Sequence, residues 1–391
     1  MEEWKEYKLG EVVNILDYKR VPLSSKERST RKGHYPYYGA QGIIDYIDDY
    51  IFDGTYLLIA EDGENLKSQK QNVAQLASGR YWVNNHAHIV ESNGKSDIRY
   101  ICYLLNMMDL SGYITGSAQP KLNQANLTSI SLQLPSLGTQ KRIADFLSVF
   151  DDKIVVNRRI NDNLEQQAQA LFKSWFVDFE PFKNGEFEET EVGLIPKGWE
   201  VVSLSAIADY INGLAMQKYR PLEGEKGLPV LKIKELGQGN TDDSSEMCSP
   251  SLIGEKFIID DGDIIFSWSG TLMVKVWCGG KCGLNQHLFV VEPKDYPHWF
   301  AYQWTRHHLD NFIHIAKDKA VTMGHIKRGE LDKAKVVVPD GTSMAAIDSM
   351  MKPLHSQIIS NKIESRRLAS LRDTLLPHLM SGELRVGDVT L

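Results

Sequence analysis

The sequence predicts an α+β fold: two pseudo-twofold-related globular domains joined by two long antiparallel helices forming a coiled-coil spacer. Three observations predict it. The residues Ile143, Leu147, Phe150, Ile154, Asn157, Asn161, Leu164, Ala168, Leu171 and Trp175 follow alternating steps of four and three, the rhythm of a heptad seam. The seam returns 204 residues later through Ile347, Met351, Leu354, Ile358, Asn361, Ser365, Leu368, Arg372, Leu375 and Leu379. A larger stretch with matched short motifs precedes each copy. One apolar seam alone is usually a helix face against a core. Its repetition, with Asn157 and Asn361 at the same place, points instead to two equivalent helices that pack on each other. A buried Asn at a seam position is a well-attested register device. From Ile143 to Trp175 such a helix spans roughly 48 Å at 1.5 Å per residue.

The chain has 391 residues, 42% of them hydrophobic, enough for two or three domains with their own cores. Its opening residues are charged and carry no apolar run, so we expect neither a targeting segment nor a membrane span. Four cysteines without a regular framework fit a reducing cytoplasm. A formal net charge of −7 argues against indiscriminate attraction to nucleic acid.

Taken in order, the first domain opens at Trp4 to Leu9. It continues through a tyrosine- and glycine-rich stretch, Tyr35 to Tyr46, that reads as turns and short strands. Tyr56–Ala60 reads as a buried strand, Ala87–Val90 as another, and Ile98–Met108 as a helix. Gly116 to Pro135 is expected to link this domain to the first long helix, with Thr139 a candidate cap. Beyond Phe179, Pro181 and the acidic run Glu186 to Glu191 read as a solvated linker. The second domain repeats the first: Trp199, Leu204 and Ile207 answer Trp4, Leu9 and Val12. Asp261-Gly262-Asp263 answers Asp53-Gly54-Thr55, Asn285-Gln286-His287 answers Asn84-Asn85-His86, and Tyr302 answers Tyr103. Arg372 stands where the first seam has Ala168, so the pairing is expected to open near there.

No constellation for catalysis emerges. The chain has no phosphate-binding Gly-x-x-x-x-Gly-Lys-Ser/Thr loop, no Asn/Asp-Pro-Pro-Tyr/Phe motif and no nuclease carboxylate cluster. Cys278 and Cys282, with Cys248 and His287, are the candidates for zinc, but their spacing is loose and we read them as ordinary thiols. His86 and His287 lack a recurrent nucleophile or carboxylate partner, and are expected to hold a loop or touch a ligand edge. We therefore expect a binder with no catalytic residue, no metal and no cofactor.

The loops of both domains carry basic, amide and aromatic side chains of the kinds that contact phosphates and base edges. Arg31, Lys32, Tyr38 and Gln41 are the candidates in the first domain. Lys218, Arg220, Lys232 and Lys234 are those in the second, with Lys317 and Lys319 further along. Ordinary protein surfaces hold the same residue types. Net charges of −3 over residues 1–116 and −6 over 181–322 mean that any DNA affinity needs a focused patch or a basic partner.

The residues Gln140-Lys141-Arg142-Ile143-Ala144-Asp145-Phe146-Leu147, then Asp151-Asp152-Lys153-Ile154 and Asn157, resemble the central region of type I restriction–modification specificity subunits. Leu171 to Phe179 and Leu375 to Leu384 are similar to the ends of that family's two repeated regions. Tyr37-Tyr38-Gly39-Ala40-Gln41-Gly42, Glu61-Asp62-Gly63 and Asn84 to Ile89 are similar to pieces of its target-recognition domains. The resemblance covers nearly the whole chain and implies the following division: 1–135 target-recognition domain 1, 136–180 spacer helix 1, 181–338 target-recognition domain 2, and 339–391 spacer helix 2 with a C-terminal tail. It implies a non-catalytic subunit for phage defence in the cytoplasm, in which each domain reads half of a bipartite double-stranded DNA target and the helices set the gap. Two methyltransferase subunits would dock on the helices, and restriction subunits would add cleavage. S-adenosylmethionine, ATP and Mg are then expected in those partners. Asn157 and Asn361 are assigned to the scaffold. Trp175, Phe176 and Phe179 either form a docking surface for the methyltransferase or cap the coil's own core. The alternatives are a coiled-coil protein-interaction scaffold without DNA readout and an enzyme of unrecognised chemistry.

Overall fold

The computed structural model describes residues 4–68, 71–116, 119–318 and 325–389. The chain divides into two compact units, one of Met1–Asp152 with Ala369–Leu391 and the other Lys153–Leu368. The long helices are Leu137–Phe176 and Gly341–Ser381, and the boundary between the units falls within both. No seam position in either helix is exposed, as the heptad pattern requires. Among the described residues no helix is long and apolar enough to cross a membrane.

In the first unit an antiparallel sheet has the order Val13–Ile15, Ala87–Ser92, Tyr56–Ala60, Ala74–Ala77. A second sheet has the order Gly42–Ile47, Lys32–Gly39, Arg80–Val83, Phe52–Asp53, with a parallel pair at its centre. The strand Tyr56–Ala60 shows why its sequence is apolar throughout. Leu57 and Ile59 enter a core shared with the helix Ile98–Met107 and the long-helix residues Ile143, Leu147 and Leu379. Leu58, facing the other way, enters a separate core with Tyr81, Val83 and Ile89.

The second unit repeats both sheets in the same strand order. One is Ala208–Asn212, Leu288–Pro293, Ile264–Ser267, Met273–Val276; the other is Met247–Cys248, Leu228–Leu231, Cys282–Leu284, Ile258–Ile259, again with a central parallel pair. Here Ile264 and Phe266 pack toward the helices while Ile265 packs between the sheets. The duplication seen in the motifs is therefore a duplication of topology.

Three expectations change. The stretch from Gly116 to Pro135 is not merely a link: Gln124–Ser129 is a helix, and Ser131–Leu134 pairs antiparallel with Lys5–Lys8. The first long helix begins at Leu137, and the Thr139 amide donates to Ser136 Oγ at 3.4 Å, so the hydroxyl ahead of the helix serves its first turn. The acidic run includes the strand Phe187–Thr190, which forms a hairpin with Gly193–Pro196. Its glutamates point to solvent while Phe187 leans on Phe179.

Candidate nucleic-acid interfaces and the helical seam

The four candidates of the first unit lie on one hairpin, Lys32–Gly39 with Gly42–Ile47, but at opposite ends of it. Arg31 and Lys32 stand at its base, while Tyr38 and Gln41 lie roughly 20 Å along the strand at the turn. The base is a neutralised cluster. Arg31 lies over the Trp82 ring at 5.0 Å and pairs with Asp48 at 2.9 Å. Lys32 and Arg28 share Asp45 at 2.6 and 3.2 Å, and the Lys32 hydrogen bond holds that carboxyl below its usual range. At the turn end, Tyr38 packs edge-on to Tyr81 at 5.3 Å, and burial pushes its hydroxyl pKa upward. Gln41 is exposed, beside Ile43 and Ile44, which are 44% and 52% exposed. An amide flanked by exposed apolar side chains at a hairpin turn is suited to a base edge rather than to a phosphate row.

In the second unit the structure brings Arg220 and Lys232 together on one carboxylate, Glu246, with Arg220 at 2.5 Å. Lys234 pairs with Asp242 at 3.3 Å and bonds Ser244 Oγ at 3.0 Å. Lys218 ends the short turn Met216–Lys218 and is exposed. Lys317 closes the helix Leu309–Asp318, and Lys319 lies outside the described residues. Most of the candidate cations thus already hold an acidic partner, which is how loops rich in lysine and arginine coexist with negative domain charge.

The recurrent Asn-x-His motif is a turn-building device. Asn84 Oδ1 accepts from the His86 amide at 2.8 Å, and Asn285 Oδ1 from the His287 amide at 3.2 Å. The imidazoles then diverge, His86 meeting Asp62 at 2.7 Å and His287 meeting Ser269 Oγ at 3.0 Å. Sequence reasoning passed over two aromatics. Trp268 donates to Asn212 Oδ1 at 2.9 Å and lies beside His287. Tyr18 is 78% exposed. Trp268 is half-buried against the second unit's core whereas Tyr18 stands at the surface, and residue type alone does not separate the two.

Among the described residues one group, Asp17, Glu61 and His88, has metal-ligand geometry. Its ligand atoms are already occupied. His88 Nδ1 meets Asp17 at 2.5 Å, its Nε2 meets the Leu122 carbonyl at 2.7 Å, and Arg20 reaches Glu61 at 2.8 Å and Asp17 at 3.2 Å. Burial opposes ionisation of Asp17, but His88 and Arg20 outweigh it and its carboxyl sits below the usual range. The arrangement is an internal ion cluster of the first unit. All four cysteines are free, and burial raises the Cys278 thiol to about 11 and the Cys282 thiol to about 12.

Within the second unit the paired helices run antiparallel around a polar layer. Asn157 and Asn361 stand at the midpoints of their helices, 1% and 5% exposed. Asn157 Nδ2 donates to Glu364 at 2.7 Å and Ser365 Oγ at 3.2 Å. Asn361 Nδ2 donates to Asn161 Oδ1 at 2.9 Å, and Asn161 Nδ2 to the Ile358 carbonyl at 3.1 Å. Asn157 Oδ1 is buried without a partner, a sign that apolar packing alone did not choose this layer. Within the first unit Arg372 does not open the seam. It pairs with Asp151, which also accepts from the Tyr103 hydroxyl, so an ion pair backed by a neutral tyrosine fills the gap.

Phe176 is 2% exposed and packs against Trp199, Trp299, Phe300 and Trp304, so its ring is enclosed in the second unit's own core. That enclosure removes Phe176 from any docking surface. Trp175 and Phe179 are half-buried, the former on Phe182 and the latter on Trp199.

Residues 1–166 and 196–366 each match the family described as type I restriction modification DNA specificity domain. The chain is 32% identical over 305 residues, 74% of its length, to the type I restriction enzyme MjaIX specificity subunit of Methanocaldococcus jannaschii, covering 70% of that protein. It is 22% identical to the HindI specificity subunit of Haemophilus influenzae, across 98% of this chain and 100% of that one. Among solved structures, the type I restriction–modification S subunit from M. genitalium superposes with a TM-score of 0.58 at 15% identity, covering 97% of this chain and 96% of that one.

Proposed function

The chain belongs to the type I restriction–modification DNA specificity family, as a specificity subunit with two DNA specificity domains, and on that premise we propose how its parts divide the work. Each globular domain reads one half of a bipartite DNA target, and the paired helices set the unspecific gap between the halves. The reading rests above all on one observation: the two domains share strand order and pairing while their cation-bearing loops differ. One scaffold carrying two different loop sets suits two different half-sites.

In this reading the chain has no catalysis of its own and works in the cytoplasm. Two methyltransferase subunits bind the helices, bring S-adenosylmethionine and flip the target adenine. Restriction subunits add ATP- and Mg-dependent cleavage. Most of the candidate cations are pre-paired with carboxylates, so phosphate contact requires each of those to exchange a protein partner for DNA. A basic surface on the methyltransferase favours that exchange.

The test is co-expression with the cognate methyltransferase, followed by genome-wide mapping of methylated adenines. The expected result is a two-part motif with one gap length. A continuous motif would exclude separate half-site reading. A stable complex that methylates nothing would remove the directing role.

A further inference from the structure

In the second unit one arginine ties a recognition-domain loop to the helix. Arg366, on the helix Gly341–Ser381, grips Asp261 with both arms, Nη1 to Oδ1 at 2.6 Å and Nη2 to Oδ2 at 2.7 Å. Its Nη1 also donates to the Cys278 carbonyl at 2.6 Å. The loops it grips are bound to each other. The Gly262 amide donates to the Trp277 carbonyl at 2.8 Å, the Trp277 amide to the Asp263 carbonyl at 2.8 Å, and the Gly280 amide to Asp261 Oδ1 at 2.8 Å. Arg366 therefore holds a stiff double loop, not a mobile side chain.

The repeat makes the contact informative, because among the described residues the matching aspartate of the first unit takes a different partner. Asp53 stands where the second unit has Asp261, yet it pairs with Arg80 at 3.0 Å inside its own sheet. Gly79 and Gly280 both precede a strand of the second sheet with φ of 86° and 84°. A Cβ on Gly79 would meet nothing within 4 Å, whereas on Gly280 it would meet Arg366 Nη1 at 3.3 Å. Arg366 itself answers Asp162, of opposite charge. The backbone turn is common to both units, but the aspartates take different partners, Arg366 for Asp261 and Arg80 for Asp53.

Its place on the helix says what it does. The core joining this domain to the helices is made by Phe172 and Phe176 of the first helix with Ile347 and Met351 of the second. Half-buried Ile359 and Ile363 extend it along the second helix. Arg366 lies 15 residues beyond Met351, roughly 22 Å along the axis. A contact about one turn beyond Ile363, at the far end of that core, adds to the restraint on tilting of the domain on the helix.

We infer that Arg366 is a positioning residue that fixes the tilt of the second recognition domain and thereby restricts the DNA gap length the protein accepts. The inference rests on the bipartite reading above. It concerns the gap, not the bases read, because neither Arg366 nor Asp261 is among the candidate DNA contacts.

The test compares the intact complex carrying Arg366→Met, Asp261→Asn or Arg366→Lys with wild type, by mapping methylation and by binding to duplexes whose gap differs by one base pair. In the Met and Asn variants the half-site sequences should stay unchanged. Methylation at gaps one base pair longer or shorter should rise about tenfold relative to the preferred gap, because a looser tether spreads its effective concentration over more separations. Arg366→Lys, which keeps one charged contact, should fall between. Asp261→Asn guards against misfolding of the Met variant, since it retains shape and hydrogen bonding. Unchanged gap selectivity in folded variants, or altered half-site bases, would overturn the inference. A wild-type motif without any gap would instead overturn the bipartite reading itself.

Discussion

Replacing Asn361 by alanine isolates what the polar layer contributes. The substitution removes the bond to Asn161 Oδ1 at 2.9 Å and the one accepted from Gln357 Nε2 at 2.7 Å. Gln357 is exposed and can turn to water, but Asn161 is 6% exposed and its oxygen is left without a donor. Two lost bonds at about 1 kcal/mol each, with an orphaned acceptor costing about 1–3 kcal/mol in place of one of them, give a loss of about 2–4 kcal/mol. For a unit of this size the midpoint should fall by roughly 5–15 °C. Six of the eight tryptophans lie between Lys153 and Leu368, so tryptophan fluorescence of the full chain during heating follows this unit. The informative control is the triple variant Asn157→Leu, Asn161→Leu, Asn361→Leu. Removing all the polar partners together leaves no orphan, and apolar replacement of a buried polar network is often neutral or stabilising. The triple variant should therefore melt no lower than wild type while losing the register that the asparagines specify. A shift below about 1 °C in Asn361→Ala, or a triple variant that falls as far as the single one, would refute the reasoning.

Three further outcomes follow from the same geometry. His298 Nδ1 and His355 Nε2 face each other at 2.8 Å, and burial, then the neighbouring His298 and Lys362, depress His355 to about 4. A depressed folded pKa contributes stability above the unfolded value near 6.5 that is lost as pH falls toward 4, so chemical denaturation should show about 2 kcal/mol less stability at pH 5 than at pH 7, and His355→Gln should flatten that loss. In the first unit, a double-mutant cycle of Arg372→Ala and Asp151→Ala should return a coupling of about 1 kcal/mol, given side chains 25% and 34% exposed; zero coupling would make the seam ion pair incidental. Glu246→Gln should tighten DNA binding by the methyltransferase complex at low salt by about fivefold, because it frees Arg220 and Lys232, whereas Lys218→Ala should reduce the slope of log affinity against log salt by about 1.

The long helices were legible because their signal is local and periodic: an apolar or amide residue every three or four positions tells which face is buried, whatever it is buried against. The duplication was legible for a related reason. Matched motifs recur in order along the chain, and the structure shows that the two units share their strand order down to the central parallel pair. Short apolar stretches such as Tyr56–Ala60 declared burial on both faces, though not that alternate side chains enter different cores.

Tertiary structure alone decided the partners. Lys32 meets Asp45, Arg220 and Lys232 converge on Glu246, and Arg372 finds Asp151 and Tyr103. No spacing rule predicts such pairs, since an ion pair depends on where two chain segments come to lie. Phe176 illustrates the same limit: an aromatic near a helix end has one composition whether it docks a partner or, as here, is enclosed by Trp199, Trp299 and Trp304. The sequence by itself determined the helices, the duplication and the apolar strands, because each is written in neighbouring residues. Which charges remain available to DNA, and how firmly each domain is held to its helix, were decided by contacts such as Arg366 with Asp261. Those residues are 105 positions apart and acquire their roles only when the chain has folded.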